Sequence, residues 1–146
     1  MHEQSCLFCK IILHEIPSHI IYEDEHTIAF LDIMPLDKGH TLVIPKIHST
    51  NFINTNDDII SFVNITAKKV AKQIEVQLNT SAFNFISNNG ILAGQTIEHY
   101  HLHIIPKYSS HSGLQLPKSQ MVVDSKELTT LQKNLNLVKK RIPNKI

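Results

Sequence analysis

The chain has 146 residues, 42% of them hydrophobic, enough to bury one sizeable core and too few for two ordinary domains, so a single domain over 1–146 is expected. Fourteen Lys and Arg stand against thirteen Asp and Glu; this near-balance makes no electrostatic case for nucleic acid or an anionic membrane, and an anionic ligand would need a local site. No apolar run approaches the roughly 18 residues of a membrane span, and the first residues lack a basic stretch followed by an apolar one, so a cytoplasmic protein is expected.

Leu7 to Ile12 form a short apolar segment that the Ile16-Pro17 pair terminates, and its expected form is one or two helical turns. Three β-type runs follow at Ile20 to Glu23, Thr27 to Leu31 and Thr41 to Ile44, separated by charged or Pro/Gly-containing turns such as Asp24-Glu25 and Pro35 to Gly39. From Asp57 to Leu78 the period lengthens. Ile59, Val63, Ala67, Val70, Ile74 and Leu78 recur at helical steps, Lys68, Lys69 and Lys72 take another face, and Asn56 caps the start. Ala82 to Ser87 and His99 to Pro106 return to strand character, bridged by the turn-rich stretch Asn88 to Gln95. Leu128, Leu131, Leu135 and Val138 predict a second amphipathic helix over about 125–141, with a basic ending at Lys139-Lys140-Arg141 suited to its C-terminal dipole. Strands, a helix and strands again imply an α+β domain on an antiparallel sheet.

Chemistry concentrates in His99-Tyr100-His101-Leu102-His103. Side chains alternate faces along a strand, so the three imidazoles line one side, roughly 6–7 Å apart, while Tyr100, Leu102 and Ile104 pack on the other. Two chemistries fit such a row. Alternating histidines can chelate zinc and activate water, or one imidazole can attack phosphorus while its neighbours orient it and offset charge. The preceding segment, with Asn88, Gly90, Gly94, Gln95 and Thr96, supplies glycines and donors suited to an anion cradle, which favours phosphate chemistry. Cys6 and Cys9 suit a metal or redox motif better than a secreted disulfide framework. A zinc site there needs two further ligands, for which histidines are the candidates.

His99-Tyr100-His101-Leu102-His103-Ile104-Ile105 resembles the signature of the histidine triad (HIT) family. Blocks at Cys6 to Ile12, Glu15 to Pro17, Ala29 to Pro35, Gly39 to His48 and Asn88 to Thr96 are similar to the family's other segments, in its order, over a core of residues 6–108. The branch resembled is the bacterial Hit/Hint-like one with an N-terminal Cys-x-x-Cys.

The resemblance implies a HIT-like fold, a five-stranded antiparallel sheet with one long and one C-terminal helix, paired as a two-fold homodimer through the long helix and sheet edges. It also implies a hydrolase or transferase acting at the α-phosphate of purine nucleoside 5′-phosphate derivatives such as those of AMP or GMP. These include phosphoramidates, aminoacyl-adenylates and dinucleoside polyphosphates. His101 would be the nucleophile and form a nucleotidyl-histidine, with His103 on the phosphate and His40 in support. Asn88, Gly94, Gln95 and Thr96 would cradle the phosphate or leaving group, Asp32 would hold the ribose, and Phe8, Ile11, Phe30 and Ile33, with Leu7 and Leu31, would wall the base pocket. Cys6, Cys9, His48 and His99 would hold a structural zinc, with no catalytic metal required. A nucleotide-binding adaptor with little catalysis is the alternative. Pro106-Lys107-Tyr108 and the segment around His111-Ser112-Gly113 differ from the Hint-type ending, so the leaving group stays open.

Overall fold

The structure is a computed structural model and describes residues 2–138. The chain divides into two compact units, residues 1–115 and 116–146. In chain order the first unit contains α1 (Leu7–Ile12), β1 (Ile20–Glu23), β2 (Thr27–Leu31), β3 (Thr41–Pro45), α2 (Asp57–Leu78), β4 (Ala82–Ile86), a 3₁₀ turn (Ile91–Ala93) and β5 (Leu102–Lys107). The five strands form one sheet in the order β1-β2-β3-β5-β4, antiparallel at every pairing.

Period-two alternation divides the core between the two sheet faces. Ala29, Val43, Leu102 and Ile104 turn to one face, where α2 covers them with Val63, Ala67, Val70, Ala71 and Ile74. Ile28, Phe30, Leu42 and Ile44 turn to the other and meet Phe8, Ile11 and Ile12 of α1. Each fully buried aliphatic contributes about 1.5–3 kcal/mol, so these clusters hold both helices on the sheet. The Asn56 side chain accepts from the Asp58 N–H at 2.9 Å and caps α2; Asn79, at φ 53, ends it in the left-handed region.

The histidine strand begins later than the pattern implies, at Leu102 rather than His99. Its partner β3 runs out at Pro45, which has no N–H to extend the ladder. The Tyr100 N–H donates to the Ser49 carbonyl instead, at 2.7 Å. His99 and His101 therefore sit on an irregular approach to β5, and His103 is held in register between Leu42 and Ile86.

In the second unit α3 spans Ser125–Leu135, shorter than expected, and Asp124 caps it by accepting from the Glu127 N–H at 2.8 Å. The expected basic ending at Lys139-Lys140-Arg141 lies outside the described residues. Among the described residues no helix is long and apolar enough to cross a membrane.

Candidate active site

His101 is held by its neighbour. Its Nδ1 lies 2.7 Å from the His99 carbonyl, which can only accept, so Nδ1 carries the proton and Nε2 keeps a free lone pair. The Ser87 hydroxyl donates to the His101 carbonyl at 2.9 Å and fixes the backbone on the other side. Phe8 packs edge-on against the imidazole at 5.2 Å between ring centroids.

A second chain of bonds sets His103. The Leu36 N–H donates to His40 Nδ1 at 3.0 Å, so the His40 proton resides on Nε2 and points at His103 Nδ1, 2.9 Å away. The remaining proton of neutral His103 is then on Nε2. Asp32 Oδ2 lies 3.6 Å from His40 Nε2, too far for a hydrogen bond but close enough to favour a positive charge there. The turn before His40 requires Gly39: φ is +87°, and a Cβ would stand 2.6 Å from Leu78 Cδ1. The rings of His101 and His103 are 5.0 Å apart, closer than an ideal strand row because the first two histidines lie outside the ladder.

Burial sets the charge state of this group. It pushes the pKa of His103 down to about 4, helped by His101 and His40 and opposed by Asp32. It lowers those of His101 and His40 as well, with Asp32 opposing in both and the His99 carbonyl opposing for His101. Near pH 7 the imidazoles are neutral, which leaves His101 Nε2 nucleophilic.

His101 and His103 open into a cavity of ≈450 Å³ that also holds Asp32 and Thr96 and is walled by Leu7, Phe8, Ile11, Phe30, Leu31 and Ile33. The apolar wall expected from the sequence is therefore assembled at one place, although Ile33 is 81% exposed and belongs to the rim. Ile16, Leu42 and Ile97 line it too; Ile16 falls in the Glu15-Ile16-Pro17 block, whereas nothing in the sequence separates Leu42 and Ile97 from ordinary core.

Asn88, Gly94 and Gln95 do not line this cavity. Gln95 is expected to donate to a phosphate, but its carboxamide is already engaged. Oε1 accepts from the Gly90 N–H at 2.8 Å, and Nε2 donates to the carbonyls of Thr50 and Ile97 at 2.6 and 2.9 Å. The amide braces the loop and thereby places Thr96. Asn88 makes one long contact, 3.5 Å to the Gly94 carbonyl.

Behind His101, Cys6, Cys9, His48 and His99 bring one ligand atom each within 4.8 Å of one another. The His48 and His99 Nδ1 atoms are 3.2 Å apart, and the sulfur–nitrogen separations are 3.4 Å for Cys6–His99, 3.4 Å for Cys9–His48 and 3.6 Å for Cys9–His99. Tetrahedral zinc with its usual bond lengths has edges of about 3.3 Å between nitrogens and about 3.6 Å between nitrogen and sulfur. His99 Nε2 donates to the Pro45 carbonyl at 2.9 Å, so its Nδ1 lone pair faces the cluster, the arrangement in which a carbonyl fixes the tautomer of a metal ligand. Burial, chiefly, pushes the His99 pKa down to about 4 and keeps that lone pair free. The cluster can hold a metal ion. The Pro45 and Ser87 contacts have no sequence signal, one being a backbone carbonyl and the other an ordinary serine.

The HIT domain family matches residues 14–110. Protein hit of Bacillus subtilis is 46% identical over 110 residues, covering 75% of this chain and 76% of that protein. The adenosine 5′-monophosphoramidase HNT1 of Saccharomyces cerevisiae is 37% identical over 133 residues, 91% of this chain and 82% of its own length. A solved histidine triad nucleotide-binding protein from Candida albicans superposes with a TM-score of 0.81 at 38% identity, covering 90% of this chain and 94% of that one. The order of blocks, the five-stranded sheet and the histidine geometry agree with these matches: the chain belongs to the HIT family.

Proposed function

We propose that the protein is a nucleotide hydrolase or transferase that opens the α-phosphate of nucleoside 5′-phosphate derivatives through a nucleotidyl-His101 intermediate. The observation that carries this is the 2.7 Å contact between His101 Nδ1 and the His99 carbonyl, which leaves Nε2 as a lone pair in the cavity. His101 Nε2 forms the bond to phosphorus as the bond to the leaving group breaks with its electron pair. The departing atom takes a proton from the Thr96 hydroxyl, which solvent resupplies. His103 donates Nε2–H to a phosphoryl oxygen, and one such preorganised donor is worth roughly 3–4 kcal/mol. Water then cleaves the phosphorus–histidine bond and releases the nucleotide. The apolar wall takes a purine, and Asp32 accepts from the ribose hydroxyls. HNT1 is named as acting on an adenosine phosphoramidate, and similarity to it supports this substrate class.

The Cys/His cluster fits zinc by donor type and spacing. Cys6, Cys9, His48 and His99 would hold it, and its part is structural: it clips α1 to the approach of β5 and leaves His101 and His103 free. Two reduced thiols at this site suit a cytosolic protein. Two copies pair through α2 and the edge strand β4, where Ile65, Val76 and Phe85 are exposed; a monomer mass in sedimentation at micromolar concentration would refute that pairing.

The test of the reaction is His101→Gly, which removes the attacking atom and leaves the cavity. Turnover of an adenosine 5′-phosphoramidate is expected to fall at least ~10⁴-fold, as when a catalytic nucleophile is removed elsewhere, while AMP binding persists. Retention of more than about 1% of the wild-type rate would reject His101 as the nucleophile.

A further inference from the structure

The turn that presents His40, residues 36–40, has little packing of its own. Leu36 is 57% exposed and Lys38 is exposed as well, so hydrogen bonds rather than apolar burial must fix it. The His40 N–H donates to the Asp37 carbonyl at 3.0 Å, and the His40 carbonyl accepts from the Asp32 N–H at 2.9 Å. Those bonds, like the Leu36 N–H on His40 Nδ1, have both ends between residues 32 and 40. They shape the turn without seating it on β5, the strand that carries His103, and the ladder to that strand starts only at Thr41.

The seating comes from the segment just past β5. The Tyr108 hydroxyl donates to the Lys38 carbonyl at 2.6 Å, and the Gly113 N–H donates to Asp37 Oδ2 at 3.1 Å. Ser112 Oγ accepts from the N–H groups of Tyr108 and Ser109 at 2.6 and 3.0 Å, and Gly113 lies at φ +64°, so the chain doubles back and returns Gly113 to the turn. Asp37 joins the two segments: Oδ1 accepts from the Lys38 N–H at 2.8 Å, Oδ2 from Gly113, and its carbonyl from His40. A Cβ on Gly39 would stand 3.4 Å from Pro106 Cγ and 3.7 Å from Tyr108 Oη, so the turn lies against the end of β5. Burial and the Asp37 carboxylate push the Tyr108 pKa up, and the hydroxyl keeps the proton it donates. This is the stretch, residues 106–113, that departs from the Hint-type ending.

We propose that Tyr108, with the Gly113 N–H, is a positioning clamp that fixes the turn over residues 36–40 against β5 and thereby sets which nitrogen of His103 carries the proton offered to the phosphate. This rests on the reading of His103 as a phosphate donor and names what fixes that donor. If the turn shifts, the Leu36 N–H leaves His40 Nδ1, and His40 can hold its proton there and accept at Nε2. His103 then carries its proton on Nδ1, facing His40, and presents a lone pair to the phosphate instead of a donor. Tyr108 touches no substrate; it acts through His40.

The experiment is Tyr108→Phe, which keeps the ring and removes the hydroxyl. Imidazole nitrogen NMR shifts should show His103 protonated at Nε2 in the unmodified protein and a mixture of both tautomers in the variant. The kcat for an adenosine 5′-phosphoramidate should fall roughly tenfold, short of the hundredfold that a misplacement of about 1 Å can cost, with KM changed by less than about twofold. In a His40→Ala background the same substitution should cost nothing further, because residues that act through one another are not additive. Asp37→Ala, which frees the Gly113 N–H, should move both readouts the same way and decides the matter if Tyr108→Phe fails to fold. An unchanged His103 tautomer, or an equal loss of kcat with and without His40, would overturn the clamp and leave His101 as nucleophile. Unmodified protein that cleaves no phosphoramidate would overturn the reaction, and the tautomer measurement would still decide the clamp.

Discussion

Replacing Cys6 and Cys9 together with Ser tests what the metal cluster contributes. Four of the six separations among the ligand atoms are close to tetrahedral values, with 3.2 Å between the two histidine nitrogens, and the Pro45 carbonyl holds the His99 tautomer at 2.9 Å, so little reorganisation precedes binding. An ion that binds only the folded chain stabilises it by RT ln(1 + [L]/Kd), about 4 kcal/mol when free zinc exceeds Kd a thousandfold. For a chain of this size each kcal/mol moves Tm by about 3 °C, so saturating zinc should raise Tm by roughly 12 °C. The protein as purified should contain about one zinc per chain. The double-Ser variant should contain none, and its Tm should match that of chelated protein and ignore added zinc. Turnover per folded molecule should fall only modestly, because the proposed attack by His101 uses no metal. Metal analysis and melting scans in zinc buffers provide the readout. Zinc retained at full occupancy by the double-Ser variant would reject the cluster, and activity lost in proportion to zinc would reject its purely structural part.

The other three predictions concern the cavity. Burial places His101 below its ordinary 6.5, so the acid limb of kcat/KM should fall below pH 6.5, and a limb at pH 7 or above would contradict a neutral nucleophile. The stability sign is the same: His103 titrates at about 4 when folded against 6.5 when unfolded, so the unfolded chain binds more protons between those values. Stability should decline by roughly 1–3 kcal/mol from this residue as pH falls through that window, and urea midpoints in wild type and His103→Asn should converge near pH 4. Asp32→Ala should weaken AMP more than deoxy-AMP, because Asp32, whose Oδ1 accepts from the Met34 N–H at 2.8 Å, is the proposed acceptor for the ribose hydroxyls. Equal losses for the two sugars would remove that assignment.

Much of the architecture follows from local pattern. The helical period from Val63 to Ile74 and the alternation in β2 and β3 each encode which face is buried, and burial is what those elements need to form. The triad's sidedness is equally local, since Tyr100, Leu102 and Ile104 had to pack opposite the imidazoles. The nucleotide and metal assignments came from block resemblance, because spacing leaves zinc chelation and nucleophilic attack equally open. What only the tertiary structure decides is which atoms meet. Pro45 lies 54 residues from the His99 ring it orients, and Leu36 sets the proton on His40 that in turn sets the one on His103. Gln95, a plausible phosphate donor by composition, is spent on the carbonyls of Thr50 and Ile97. Tautomers and hydrogen-bond partners are properties of backbone carbonyls brought together by folding, and every residue type carries the same carbonyl, so no letter of the sequence records them.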